Sequence, residues 1–507
     1  MLARLFGKKC DHPMKDVKSA QALLNDLPKN DALKSVTELT DWLESVSCAE
    51  SFKLTDQLAV MNLLDETAHS YSRKLTCEYF TLADLNSFQG NRLCSLLGNL
   101  ARHTAAAYVV LFHRYSSDEK AAVAIKASVP QVVARAVNAI AAQLKYAAMH
   151  YGPHDEKLWH TLAQLYRHAE QQKYLDTPLK LYPASLEVTS VRREAGQLMA
   201  WYACGINSLQ PRIIHLTERL IAQYGDAVDV SEEFSAETLF GFDLAHPLGS
   251  VRINPEATLH PLTRYISMAA MQDRLVALIK ILEKNSIPKE LNLYCAAMPE
   301  WVAEAARHIL CYLISPPQRR SKRSEMKAQL NVLIGYENVI ACSIGQESNA
   351  PVAMRFSLEN ACSSGFRAVL SGRGVDSVQI GQLLGVQTTG VARLGVGIVR
   401  NLLRDTEGQL HVGAELLANQ VSNVTLELSA GGGTGYYQSA LWLHARPGVE
   451  NDTAQLIMSL DSFSMQRSFK TNFEGKDRLL IPLELQENGP DYDLARFRVI
   501  EQEASMD

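Results

Sequence analysis

Residues 316–335, PPQRRSKRSEMKAQLNVLIG, put Arg319, Arg320, Lys322 and Arg323 within five positions and then run straight into a strand-like apolar segment. The residue before each proline is pushed out of helical geometry, so the stretch predicts a break between two kinds of structure. The four basic side chains are either a solvated linker or the grip on a particular anion. The flanking sequence bears on that choice.

Upstream, apolar residues recur at helical spacing from about residue 15 to 314. In SVPQVVARAVNAIAAQLKYAAMHYG the series Val133, Val137, Ile140, Leu144, Ala148 steps by three and four, a stripe along one helix face. That helix is expected to open near Pro130 and to stop at Gly152-Pro153. Similar patterns cover about 55–75, 80–117, 156–174, 193–224, 262–284 and 295–313. Trp159, Leu162, Ala163 and Tyr166 match the spacing of the first helix of a tetratricopeptide repeat. No second copy follows, and a lone unit cannot bury its own face, so a buried bundle helix is expected instead. Residues 1–315 are therefore expected to be all-α, in one piece or in two with a break near 236–261.

Downstream, short segments rich in branched and aromatic residues alternate with Gly, Asn, Asp and Ser, which predicts an all-β barrel or sandwich. Residues 316–420 form one expected β domain. Residues 421–500 form a further β-rich module of four to six strands, a second barrel-like domain or an extension of the first sheet. Residues 501–507 are an acidic frayed end. The fold class is multidomain α+β.

With 47% apolar and 21% charged residues the chain is globular. A net charge of −5 and a pI near 6.3 argue against a whole-molecule footprint for nucleic acid or an anionic membrane, so any anion site is local. The nine cysteines form no CxxC pair, which fits reduced thiols rather than disulfides or a zinc site. The stretch MLARLFGKKCDHP is too short in apolar residues for a signal peptide core, and no run approaches the roughly 20 residues of a membrane span. A soluble cytoplasmic protein is expected.

Two features of the β half belong together. One is the R-x-x-x-R spacing of Arg319 and Arg323 with Arg320 inside it. The other is RFSLENACSSGFRAVL, where Asn360, Cys362 and Gly365 punctuate a turn between two strand-like runs. An arginine fork can hold two phosphate oxygens or the Hoogsteen face of a guanine in one plane, which lysine does less well. An Asn amide can pair with a base edge, and glycine lets backbone approach a flat ligand. The pair suits a guanine nucleotide carrying phosphates.

In these motifs, over about residues 316–420, the chain resembles the PilZ family of bacterial cyclic di-GMP receptors. Arg319 and Arg323 match its R-x-x-x-R, and Asn360, Cys362 and Gly365 match its [D/N]-x-[S/A]-x-x-G. Gly397, Val399, Arg400, Gly408, Val412, Gly413 and Glu415 keep the shape of its closing strands. Cys362 departs from the family's Ser or Ala, and the 36 residues between Arg323 and Asn360 imply a longer hairpin. The resemblance implies a six-stranded antiparallel barrel that binds cyclic di-GMP through Arg319, Arg320, Arg323, Asn360, Cys362 and Gly365. It further implies a receptor whose arginine segment, once ordered, swings the preceding domain and alters its hold on a partner protein. The alternatives are an adaptor that no longer sees nucleotide, and an enzyme in the helical region regulated by the barrel.

Other motifs carry less. GGGTG at 431–435 lacks the Lys-Ser/Thr ending of a phosphate loop and precedes a strand-like run, so a flexible loop is expected. His150 and His154 are separated by Gly152-Pro153 and cannot share a helical face as metal ligands, and His103 and His113 read as packed or surface residues. No acid/base pair or triad order is recognisable. The expectation is a protein that is not an enzyme, with no cofactor and no metal site.

Overall fold

The computed structural model describes residues 10–82, 84–85, 87–117, 123–153, 155–235, 238–254, 260–293, 297–314, 323–345, 353–370, 374–390, 393–428, 437–444 and 452–502. The chain divides into two compact units, Met1–Pro317 and Gln318–Asp507.

The first unit packs α1 (Val17–Asn25), α2 (Ala32–Cys48), α3 (Leu54–Thr81), α4 (Phe88–Ser117), α5 (Val129–Met149), α6 (Glu156–Gln171), α7 (Val191–Ala203) and α8 (Pro211–Gln223). After a small sheet come α9 (Gln272–Leu282) and α10 (Pro299–Ile314). The helix starts are chemically marked. Asp16 accepts from Ser19 N at 2.8 Å, Asp31 from Lys34 N at 2.9 Å, and Ser190 from Arg193 N at 3.2 Å, each satisfying an orphan backbone donor. On α5 the predicted stripe, Val133, Val137, Ile140, Leu144 and Ala148, is fully buried. Trp159, Leu162, Ala163 and Tyr166 of α6 are buried in the same core.

A buried arginine organises the centre of this unit. Arg135 of α5 is 2% exposed. It donates to Asn62 Oδ1 (3.1 Å), Tyr108 Oη (2.9 Å), Glu66 Oε1 (2.7 Å) and the Leu181 carbonyl (2.7 Å), and lies 3.4 Å from Asp65. A buried charge so fully bonded fixes how α3, α4, α5 and the chain near residue 181 meet.

Between α8 and α9 lie β1 (Asp229–Ser231), β2 (Phe240–Asp243), β3 (Val251–Arg252) and β4 (Thr263–Ser267), paired in the order β1-β4-β2-β3. The helical pattern expected over 262–284 is thus a strand followed by a shorter helix. Its first part, Thr-Arg-Tyr-Ile-Ser, carries branched and aromatic residues that suit a strand. Arg264, 4% exposed, forks onto Glu170 of α6 at 2.9 and 2.6 Å and anchors the sheet.

The second unit holds two closed six-stranded antiparallel barrels. The first comprises β5 (Ser324–Ile334), β6 (Met354–Cys362), β7 (Gly365–Leu370), β8 (Leu383–Thr388), β9 (Gly395–Arg404) and β10 (Leu410–Ala418), in the order β10-β7-β6-β5-β8-β9. Alternate residues Leu330 and Val332, Phe356 and Leu358, and Phe366, Ala368 and Leu370 are all buried. The long connection between β5 and β6 contains α11 (Tyr336–Ile344).

The second barrel comprises β11 (Val421–Leu428), β12 (Tyr437–Leu443), β13 (Thr453–Ser459), β14 (Phe469–Phe473), β15 (Lys476–Asn488) and β16 (Tyr492–Glu501). Residues 421–500 are therefore a closed second barrel rather than an extension of the first sheet. Its core centres on Leu426, Leu456, Met458, Phe469 and Phe497. A shared cluster joins the barrels, with Tyr336, Val339 and Ile340 of α11 packed among Leu383, Ile398, Leu441, Ile457 and Leu494. Asp491 seals that contact by accepting from Tyr336 N at 2.8 Å and Leu383 N at 3.3 Å.

Candidate nucleotide site on the first barrel

Arg323 immediately precedes β5 and is half-buried. Its Nη1 donates to Asn360 Oδ1 at 3.2 Å. Strand pairing explains the meeting, since Ser324 lies opposite Ala361 and Glu325 opposite Asn360 at the far end of the β5–β6 ladder. Both neighbouring ladders are irregular there, with register shifts between Glu325 and Ala328 and between Leu358 and Asn360. Such bulges re-aim side chains at a barrel rim.

Cys362 and Gly365 close the same hairpin, paired across the β6–β7 turn. The Cys362 thiol contacts Ser364 Oγ and the Gly365 carbonyl, each at 3.4 Å. Gly365 has a packing role as well. A Cβ built there would stand 2.3 Å from the Ala414 carbonyl of β10, so only glycine lets these strands approach. Glycine at 365, expected there for a ligand's sake, already serves the barrel wall with its bare Cα.

Arg367 lies opposite Asn360 on β7 and pairs with Glu359 at 2.9 Å. His411 stands between Glu359 (3.1 Å) and Asp405 (3.2 Å). No motif marked Glu359, Arg367 or His411: the strand register sets Arg367 opposite Asn360, and His411 meets Glu359, the neighbour of Asn360 in sequence. Arg400, part of the closing-strand pattern, pairs instead with Glu415 at 2.9 Å and with Glu487 of the second barrel.

Arg319 and Arg320 lie outside the described residues, as do Lys322, His154, Pro316-Pro317 and GGGTG. Of the six residues expected to bind nucleotide, Arg323, Asn360, Cys362 and Gly365 thus gather at one hairpin end. A half-buried guanidinium beside an amide can present coplanar donors to a phosphate or a purine edge. Among the described residues no group of three or more His, Cys, Asp or Glu side chains could hold a metal ion. Among them, too, no helix is long and apolar enough to cross a membrane.

In architecture the chain is a helical unit followed by two six-stranded barrels, with an arginine–asparagine contact at the rim of the first. Residues 18–235 match the family model of the N-terminal domain of the cyclic-di-GMP receptor FimW. The matched span runs from α1 past β1 within the first unit, whereas Arg323 and Asn360 belong to the second. No curated protein and no solved structure matches the chain.

Proposed function

We propose that the protein is a non-enzymatic receptor for cyclic di-GMP, with a PilZ-type site on its first barrel. The observation that carries this reading is the bond from Arg323 to Asn360. It joins two residues 37 apart in sequence, the last of the arginine motif and the first of the asparagine motif. Independent support comes from the helical unit, whose residues 18–235 match the family of a named cyclic-di-GMP receptor.

In this reading Arg319, Arg320 and Arg323 supply coplanar donors to phosphates and guanine faces, and Asn360 pairs with a base edge. Cys362 and Gly365 keep the turn narrow beneath the flat ligand. The arginine segment gains its charge-assisted bonds only when nucleotide is present. It therefore shifts a two-state balance by the ligand's differential affinity and passes the change to the helical unit, which holds a partner protein in the cytoplasm.

Isothermal titration of the intact chain with cyclic di-GMP, beside the Arg319→Ala/Arg323→Ala double variant, tests the proposal. Saturable heat from the parent protein and none from the variant is expected. Equal heats would remove these arginines from the site, and no heat from either would leave a nucleotide-independent adaptor.

A further inference from the structure

The helical unit contains a cavity of about 690 Å3, within the range of roughly 300–1,000 Å3 typical of small-molecule sites. It opens between α3, α4, α5, α7 and α8, and small residues on the central helix, Ala139, Ala141 and Ala142, leave the space. We propose that this cavity is a second ligand site, for a nucleoside monophosphate or a closely similar ring-bearing phosphate.

Three groups of side chains suggest that chemistry. Cations come first: Arg73 at the exposed rim, Arg219, and Lys145, whose Nζ lies 3.1 Å from Glu218. The Lys145 and Glu218 side chains keep 13% and 27% exposure and line the cavity. Asp65, the acidic residue on the α3 wall, is taken up by Arg135 and by the Tyr108 hydroxyl at 2.8 Å, so it adds little negative field. Glu187, Glu194 and Glu218 also line the cavity and balance its cations, so a phosphate would be held locally, at the exposed Arg73 rim.

The ring platform comes second. His69 stacks on Tyr182 with centroids 4.2 Å apart, and both line the cavity. Leu186, on the loop that lines the same cavity, is 94% exposed, an apolar surface that a bound ring would cover. The loop is held at both ends, by paired Leu179–Thr189 backbone bonds of 2.9 and 2.8 Å and by the bond from Arg135 to the Leu181 carbonyl.

A polar edge comes third. His215 is 8% exposed and stacks on Phe80, yet its Nδ1 has no hydrogen-bond partner among the described residues and lies 4.0 Å from Glu218. A buried ring nitrogen left so is costly unless something completes it. Burial, with Lys145 close by, holds His215 well below the usual imidazole range. A neutral imidazole offers one donor and one acceptor, the complement of a base edge. Asn138 and Gln197 add amides to the same lining.

The test uses the intact chain carrying Arg319→Ala/Arg323→Ala, so that the barrel does not contribute. Guanosine and adenosine 5′-monophosphate are titrated in, with inorganic phosphate as the ringless control. Saturable binding of at least one nucleotide is expected, tighter than phosphate alone. Arg73→Ala, an exposed substitution that leaves the core intact, is expected to weaken it about tenfold, near 1.4 kcal/mol. Ala142→Phe, which fills the cavity, is expected to abolish it. No saturable nucleotide binding up to millimolar concentration would overturn the proposal. So would unchanged affinity in both Arg73→Ala and a folded Ala142→Phe protein.

Discussion

Arg400 on β9 of the first barrel forks onto Glu487 on β15 of the second, its Nη1 and Nη2 lying 2.8 and 2.5 Å from the two carboxylate oxygens. Glu487 also accepts from the Tyr492 hydroxyl at 2.8 Å, and Arg400 Nε donates to Glu415 at 2.9 Å. A residue of the closing-strand pattern therefore ties one barrel to the next. Arg400→Met is expected to lower the stability of the two-barrel unit by roughly 1–2 kcal/mol, a figure discounted for the 39% exposure of its side chain. Urea unfolding of the intact chain checks this, and an unchanged barrel transition would contradict it.

Gly365→Ala sets a Cβ against the Ala414 carbonyl, where neither backbone can yield without breaking the β7–β10 ladder. Overpacking of this kind costs roughly 1–3 kcal/mol. Thermal melts should show the loss, together with weakened cyclic di-GMP binding. Full stability in the variant would mean that the strands can separate freely.

Cys362 stands where the PilZ motif that the chain resembles has Ser or Ala, and its thiol lies 3.4 Å from Ser364 Oγ and from the Gly365 carbonyl. Cys362→Ser supplies a stronger donor of smaller size. Cyclic di-GMP affinity is expected to stay within a few-fold of the parent or to tighten. A loss beyond tenfold would assign the sulfur a direct role in holding the ligand.

Burial, reinforced by Arg73 and Arg135, pushes the His69 pKa from 6.5 down to about 4. Its depressed folded value means that the unfolded chain binds this proton first as pH falls through 6.5. The stability is present above that value and is lost between about pH 6.5 and 4, at a limiting slope of about 1.4 kcal/mol per pH unit. Asp65 acts with the opposite sign. Burial raises it to about 6 against the pull of Arg135, so its contribution is lost as pH rises through 6. The difference between parent and His69→Gln isolates the histidine. Denaturation at pH 7 and pH 5 should show a shallower acid loss in the variant, and parallel profiles would contradict the assignment.

Much of this architecture is legible in the chain. The α5 stripe is readable because its period of 3.6 survives over about four turns, and the alternation of Phe356 with Leu358 and of Phe366 with Ala368 gives strands directly. Closure of the second barrel is not readable, because alternation shows which face is buried but not whether first and last strands meet. The helix YENVIACSI, residues 336–344, hides as well, since nine largely apolar residues between two strands fit either period. The short strands β1 to β4 lack the length for a period-two signal.

At the candidate site, the Arg323–Asn360 contact spans 37 positions and was approachable only through the resemblance of the two motifs. The fork from Arg400 to Glu487 spans 87 and depends on how two barrels dock, which no local pattern encodes. The need for glycine at 365 was visible, but its cause, a carbonyl on a neighbouring strand, was not.

Ultraviolet crosslinking of radiolabelled cyclic di-GMP to the intact chain, followed by peptide mapping, asks most directly where the nucleotide sits. Label is expected in peptides spanning 316–330 and 356–366, suppressed by unlabelled cyclic di-GMP and lost in Arg319→Ala/Arg323→Ala. Label confined to the helical unit and undiminished in that variant would contradict it.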